Sequence, residues 1–245
     1  QLSSVLRDAE ARYVAANPRS AKLSGEAQGH LPGGNTRTTV HFSPFPLYIA
    51  KGEGSRLTDV DGHSYIDFIN EYTAGVFGHS NALIAETISR TIAQGLNFGA
   101  PTEHEVKLSA ELRKRFPAME LLRLCNSGTE ANEAAIKMAR RHDSARHEIV
   151  SAFRSFHGRT LGALAATGQP DLQEGFGPMP GGFIHVPYDD VEAAEAVVGP
   201  KTAAVLVEPI IGEGGVIVPS EVYLRALREI CDRAGALLIF DEVQT

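Results

Sequence analysis

The chain has 245 residues, 43% hydrophobic and 22% charged, an ordinary globular composition long enough for one large domain or two small ones. Its net charge is −7, which argues against a nucleic-acid partner, whose phosphates demand basic patches. No apolar stretch reaches the roughly 18 residues of a membrane span, and no secretory signal opens the chain. The two cysteines, Cys125 and Cys231, fall in a predicted strand and a predicted helix and do not read as a disulfide framework, so the expected compartment is the cytoplasm.

Residues 3–16 place Val5, Leu6, Ala9 and Tyr13 at helical intervals and read as a surface helix ended by Asn17 and Pro18. His30 to Arg37, with Pro32, Gly33 and Gly34, is a loop that carries an arginine at its tip. Such an arginine can offer a bidentate donor to a carboxylate. On the loop alone, a solvated surface arginine is the simpler account. Residues 46–69 read as short antiparallel strands with Asp61-Gly62 as the hairpin turn. Helices are predicted over 81–94 and 102–116.

From residue 121 the pattern becomes regular. LLRLC reads as a strand, NSGTEANEAAIKMARR as a helix and HEIVSA as a strand, a βαβ unit that implies a parallel sheet. Ser127, Gly128 and Thr129 occupy the turn between the first strand and the helix. Ser127 with Glu130 three residues on forms a capping box, and capping alone would explain the serine. The same turn can bind a phosphate at the positive end of the helix dipole, and its place at the ligand edge of the sheet favours that. Phe156, His157 and Arg159 follow the next strand and could stack on and clamp a planar anion. A core phenylalanine and a structural histidine are the bland alternative.

Residues 168–182 hold five glycines and three prolines and read as a long loop. FIHV is a strand, 189–198 an acidic helix, and AAVLVE a strand closing on Glu208. Gly212 to Gly215 makes a tight turn, with no helix directly behind it to form a nucleotide loop. The helix over 219–234 carries Leu224, Leu227 and Ile230 as its apolar stripe. The last stretch, ALLIFDEVQT, is a buried strand whose end presents Asp241. Open α/β sheets bind ligands outside the carboxyl ends of their strands. Asn126, Glu208 and Asp241, each ending a predicted strand, therefore outline a site.

Taken together, NSGTEAN, SFHGRT, VEPIIGEGG and LLIFDEVQT resemble the class III pyridoxal-phosphate aminotransferases, in the family's order and at about its spacing, over nearly the whole chain from residue 30. LPGGNTRT, FINEYTAGVFGHS and NFGAPTEHEVKL look like the glutamate-1-semialdehyde aminomutases and β-amino-acid aminotransferases. FHGRTLGALAATGQP and EPIIGEGGVIVP look like the acetylornithine and ornithine aminotransferases. The resemblance implies an α/β fold of the aspartate-aminotransferase type (fold type I), a mostly parallel sheet with helices on both faces. It divides the chain into an N-terminal segment, 1–70, and an incomplete large cofactor-binding domain, 71–245.

The family's residue roles carry over where residues match. Asp241 would pair with the pyridine nitrogen of pyridoxal 5'-phosphate. Ser127, Gly128 and Thr129 would hold the phosphate, and Phe156 and Val243 would cover the two ring faces. Gln244 would reach the ring hydroxyl, with His157 and Glu208 in the surrounding network. Arg37, Tyr72 and Arg159 fall on the substrate side. Glu213 matches a glutamate that, in the ornithine group, can mask a later arginine. No metal centre is expected. The partners implied are amino-acid and keto-acid substrates and a second subunit sharing the active site, with no nucleic acid or membrane. The family's Schiff-base lysine and small domain lie beyond the DEVQT motif. Residues 1–245 are therefore expected to be the N-terminal part of a larger aminotransferase and inactive alone. A homologue that kept the fold and lost the lysine, serving as a binding or regulatory protein, is the alternative from another class.

Overall fold

The computed structural model describes residues 2–245. It comprises two compact units, 1–103 and 104–245.

The first unit begins with helices α1 (Leu2–Ala16) and α2 (Pro18–Gln28). α1 stops at Asn17-Pro18 as expected, and a second helix starts there at once. Pro18 sits in the first turn of α2, where its missing N–H is no loss. Strands β1 (Ile49–Glu53), β2 (Arg56–Asp59) and β3 (Ser64–Ile66) form the expected antiparallel sheet in sequence order. Asp61, at the β2–β3 turn, has a second task. Its carboxylate accepts the Arg19 and Ser20 N–H groups at 2.8 and 3.0 Å, capping two of the donors that the first turn of α2 leaves open. Asp59 accepts from His63 N and Nδ1 and from Tyr65 Oη, at 2.8, 2.9 and 2.9 Å. Beyond the sheet, Asn70, Glu71, Tyr72 and Thr73 all turn through positive φ. Helix α3 (Ala82–Ile92) follows, capped by the Asn81 side chain.

In the second unit, α4 (Glu103–Arg115, entered from the first) leads to α5 (Gly128–His142). Strands β4 (Glu148–Ala152), β5 (Phe183–Val186), β6 (Thr202–Val207) and β7 (Leu237–Phe240) make an all-parallel sheet in the order β5-β4-β6-β7. Helices α6 (Leu161–Ala166), α7 (Pro170–Gln173), α8 (Val191–Val197) and α9 (Tyr223–Ala234) complete it.

Strand alternation sends each face to a different helical layer. Ile149, Ala204 and Leu206 pack with Ile136 and Ala139 of α5 and Ala166 of α6. Val150, Val205 and Val207 pack with Ala194 of α8 and with Tyr223, Leu227, Ile230 and Cys231 of α9. All six residues of β6 are buried, as expected for a strand covered on both faces. Truncating Leu206 to alanine there costs about 3 kcal/mol. Gly235, in the left-handed region at φ 67°, ends α9 and turns the chain directly into β7.

Three sequence expectations are corrected. LLRLC is not a strand. Residues 121–126 run as irregular chain, with Leu121 93% exposed. A β-prone sequence becomes a strand only when a neighbour supplies ladder partners, and none of the described residues does. The last strand is not buried throughout either. β7 forms an edge of the sheet, and Leu237 and Phe240 are 36% and 45% exposed. The loop over 168–182 contains a helical turn, α7, which starts at Pro170.

Candidate active site

Three parallel strands end at one edge of the sheet and hand the chain to polar residues. β4 leads into Ser155, Phe156 and His157, β6 into Glu208, and β7 into Asp241. The expected third donor, Asn126, is replaced in this role by the loop after β4. Asn126 instead gives its N–H and Nδ2 to Glu130 Oε2 at 2.8 and 3.0 Å.

Asp241 is the hub. Its backbone N–H extends the β6–β7 ladder by donating to Val207 O at 2.9 Å. Its carboxylate is buried. Oδ2 accepts from His157 Nδ1 and from Asn132 Nδ2, each at 2.8 Å, and Oδ1 accepts from Val243 N at 3.2 Å. Burial pushes this carboxyl up, but the His157 bond and charge, with Asn132 and Val243, outweigh it and hold the group below its ordinary range. Oδ2 is thus shared by two donors, while Oδ1 keeps the freer lone pair.

His157 is buried and fixed at its backbone. Its N–H donates to Thr167 Oγ1 at 2.9 Å and its carbonyl accepts from Asn132 Nδ2 at 2.9 Å. Its Nε2 is buried without a hydrogen-bond partner among the described residues.

Glu208 takes the opposite electrostatic course. It too is buried, and its oxygens accept the Phe156 N–H at 2.8 Å and the Gly212 N–H at 3.0 Å. Burial here outweighs those two bonds and raises the carboxyl. One carboxylate of the edge is held charged and the other is pushed towards its proton, about a half-buried Phe156.

The N-terminus of α5 faces the same edge, since Asn132 on its second turn reaches both His157 and Asp241. Ser127 caps this helix, its Oγ accepting from Glu130 N at 3.2 Å. The reciprocal half of the expected box is shifted by one residue, because Glu130 reaches Asn126 rather than Ser127. The N–H groups of Gly128 and Thr129 lie in the first turn, where the helix has no acceptor to offer them. Close packing crowds this corner. A Cβ added to Gly128 would lie 2.8 Å from Val243 Cγ2, and one added to Gly212 would lie 3.0 Å from Gln244 Cβ. Gly158, at φ 127°, leaves room for Thr129.

The substrate-side residues divide. Arg159 and Glu213 are both exposed, and Glu213 Oε2 accepts from Gln169 Nε2 at 2.7 Å. Arg37 and Tyr72 belong to the first unit, where the guanidinium lies 5.8 Å from the tyrosine ring centroid and Tyr72 Oη donates to Thr39 O at 3.4 Å.

Sequence reading missed Asn132. Asparagine is a poor residue for a helix interior. A buried one on the apolar side of α5 is the signal that could have found it. Thr167, fully buried and holding His157 N, was missed for the same reason, since its partner lies across a loop.

Comparison with known proteins identifies the family. Over its whole length the chain is 41% identical to the β-phenylalanine transaminase of Variovorax paradoxus and covers 55% of that protein. A solved β-phenylalanine aminotransferase from the same organism superposes with a TM-score of 0.88 at 39% identity, over 98% of this chain and 55% of the other. The acetylornithine aminotransferase of Mycolicibacterium smegmatis is 45% identical over 82% of this chain and 51% of its own length. A solved transaminase with PLP bound superposes at a TM-score of 0.82 and 33% identity, over 91% of this chain and 55% of its own. The chain therefore spans about half the length of the curated relatives it matches. The class III aminotransferase family matches residues 38–245, and the chain belongs to that family.

Proposed function

We propose that this chain carries the cofactor-binding part of a pyridoxal-phosphate-dependent aminotransferase, one that moves an amino group between a β- or ω-amino acid and a keto acid or aldehyde. The observation that carries the reading is Asp241. It is a buried carboxylate held ionised at the carboxyl edge of a parallel sheet, beside a helix N-terminus with open N–H groups.

The residues present fit pyridoxal 5'-phosphate. The first turn of α5 supplies a dianion site, Gly128 and Gly158 let Val243 and Thr129 pack closely beside it, and Phe156 offers an aromatic face. When bound, the cofactor supplies an electron-withdrawing ring that stabilises a carbanion at the substrate carbon. Asp241 keeps a proton on the pyridine nitrogen, with Oδ1 as the accepting oxygen. Ser127, Gly128 and Thr129 bind the phosphate. Phe156 and Val243 cover the ring, and His157, Glu208 and Gln244 fix its polar edge. Each unit carries its own candidate for a substrate carboxylate, Arg37 with Tyr72 in the first and Arg159 in the second, and Glu213 is the acid that can mask an arginine.

The amino-acid class rests on this chain's likeness to a β-phenylalanine transaminase and an acetylornithine aminotransferase. A homodimer with a shared active site is part of the proposal. Phe68, Phe77, Leu83 and Leu96 of the first unit are all strongly exposed and suit a subunit contact.

The test uses the full-length protein. Added pyridoxal phosphate is expected to give a bound-cofactor absorbance band that changes when a β-amino acid is supplied. Failure of the full-length protein to bind the cofactor overturns the reading. Turnover without any keto-acid or aldehyde acceptor would instead indicate an aminomutase.

A further inference from the structure

Asn132 joins three separate parts of the second unit. It projects from α5, its Nδ2 donates to Asp241 Oδ2 at 2.8 Å beyond β7, and the same nitrogen donates to His157 O at 2.9 Å beyond β4. All three residues are buried. The direction of the amide is fixed by chemistry. Both neighbours are oxygen acceptors, and only the nitrogen end of the amide carries protons. Turning it over would set three oxygens against one another without a proton between them. Among the described residues nothing holds the histidine from its far side, where Nε2 has no partner. Its ring is oriented by Nδ1 on Asp241, and its backbone by Thr167 and Asn132.

We propose that Asn132 is a positioning residue of the cofactor site, holding the Asp241 carboxylate and the His157 backbone in one arrangement so that Oδ1 of Asp241 is presented to the cofactor's ring nitrogen. The inference rests on the pyridoxal-phosphate reading given above. Asn132 touches no cofactor atom in this scheme and acts through Asp241. The titratable groups whose charges reach this cluster are His157 and Glu208, and the charge of His157 also acts on His185 of β5.

The near-isosteric Asn132→Asp tests the proposal in the full-length protein. When ionised, the new carboxylate faces an anion and a carbonyl without a donor. When protonated, it regains one O–H donor, and its proton is held more tightly because a like charge lies beside it. Pyridoxal-phosphate affinity is therefore expected to fall about 10- to 100-fold at neutral pH, the worth of a hydrogen bond to a charged group, and the gap from the parent should narrow as pH is lowered. Asn132→Ala should weaken binding by a similar factor at every pH. Circular dichroism and thermal melting identify any variant that fails to fold. If only the alanine variant fails, the pH dependence of the aspartate variant decides. Should both variants bind the cofactor as the parent does, or should Asn132→Asp lose the same factor at all pH values, the proposal is wrong. A parent protein that binds no cofactor would instead defeat the functional reading beneath it.

Discussion

The hairpin of the first unit and the parallel sheet of the second each hold a buried aspartate, and the two are bonded alike. Asp59 and Asp241 each accept three hydrogen bonds, two on Oδ2 and one on Oδ1, and each has a histidine Nδ1 among the donors. Both carboxyls lie below their ordinary range. Burial pushes the Asp59 group up, but His63 and Tyr65 more than offset that and hold it at about 2. The difference lies in where the donors come from. Those of Asp59 sit four and six residues away within one hairpin. The side-chain donors of Asp241 lie 84 and 109 residues away, on separate elements that meet at the carboxyl edge of the sheet. An ionised buried carboxylate is therefore no sign of function by itself. The local one closes a turn, and the long-range one gathers a site.

The sharpest test of this contrast is Asp241→Asn in the full-length protein. It removes the anion while keeping the shape, and transamination is expected to fall about a thousandfold. Asp59→Asn is expected to leave kcat of the folded enzyme unchanged. A loss of activity from Asp59→Asn comparable to that from Asp241→Asn would collapse the distinction.

Stability should divide the other way. Asp59→Ala leaves Tyr65 Oη and His63 Nδ1 without their acceptor in a half-buried hairpin, and is expected to cost about 2 kcal/mol in a denaturant melt.

The pH limits sharpen the contrast further. The Asp59 carboxyl is lower in the fold than in the unfolded chain. Its contribution is therefore present above about pH 4 and lost as pH falls towards 2. Asp59→Asn should flatten that acid limb of a circular-dichroism titration. Tyr65 behaves in the opposite sense. Burial and its bond to Asp59 raise the phenol to about 12. Its contribution holds below about pH 10 and is lost as pH climbs towards 12. The buried Tyr223, also pushed up to about 12, keeps an alkaline limb of its own, so Tyr65→Phe is expected to shrink the parent's alkaline transition, and a transition unchanged in size would contradict this assignment.

The smallest expected effect is that of Ser127→Ala. Losing the α5 cap costs about 1 kcal/mol of stability. If Ser127 also binds the phosphate, cofactor affinity drops in addition. An unchanged affinity would reduce Ser127 to a cap.

Much of this arrangement could be read from the sequence, because it is local. Apolar runs marked β4, β5 and β6, the Asp61-Gly62 turn marked the hairpin, and serine with glutamate three residues on marked the start of α5. The family motifs pointed to Asp241, Glu208 and Phe156, and each of these lies at the predicted sheet edge. What stayed hidden depends on partners. LLRLC has the composition of a strand, yet extended chain is stable as a strand only beside another. β7 has the composition of an interior strand but takes an edge, since among the described residues only β6 pairs with it. Asn132 gives no local signal of its role, because the two chain segments that meet its amide lie 25 and 109 residues away.

The sequence by itself therefore determined most of the elements and their order, since periodicity, caps and turns act over a few residues, and its motifs in register carried the resemblance to the family. The tertiary structure alone decided which polar groups meet. It holds Asp241 charged and pushes Glu208 towards its proton, because the balance between burial and hydrogen bonding is set by neighbours that the chain brings from far away.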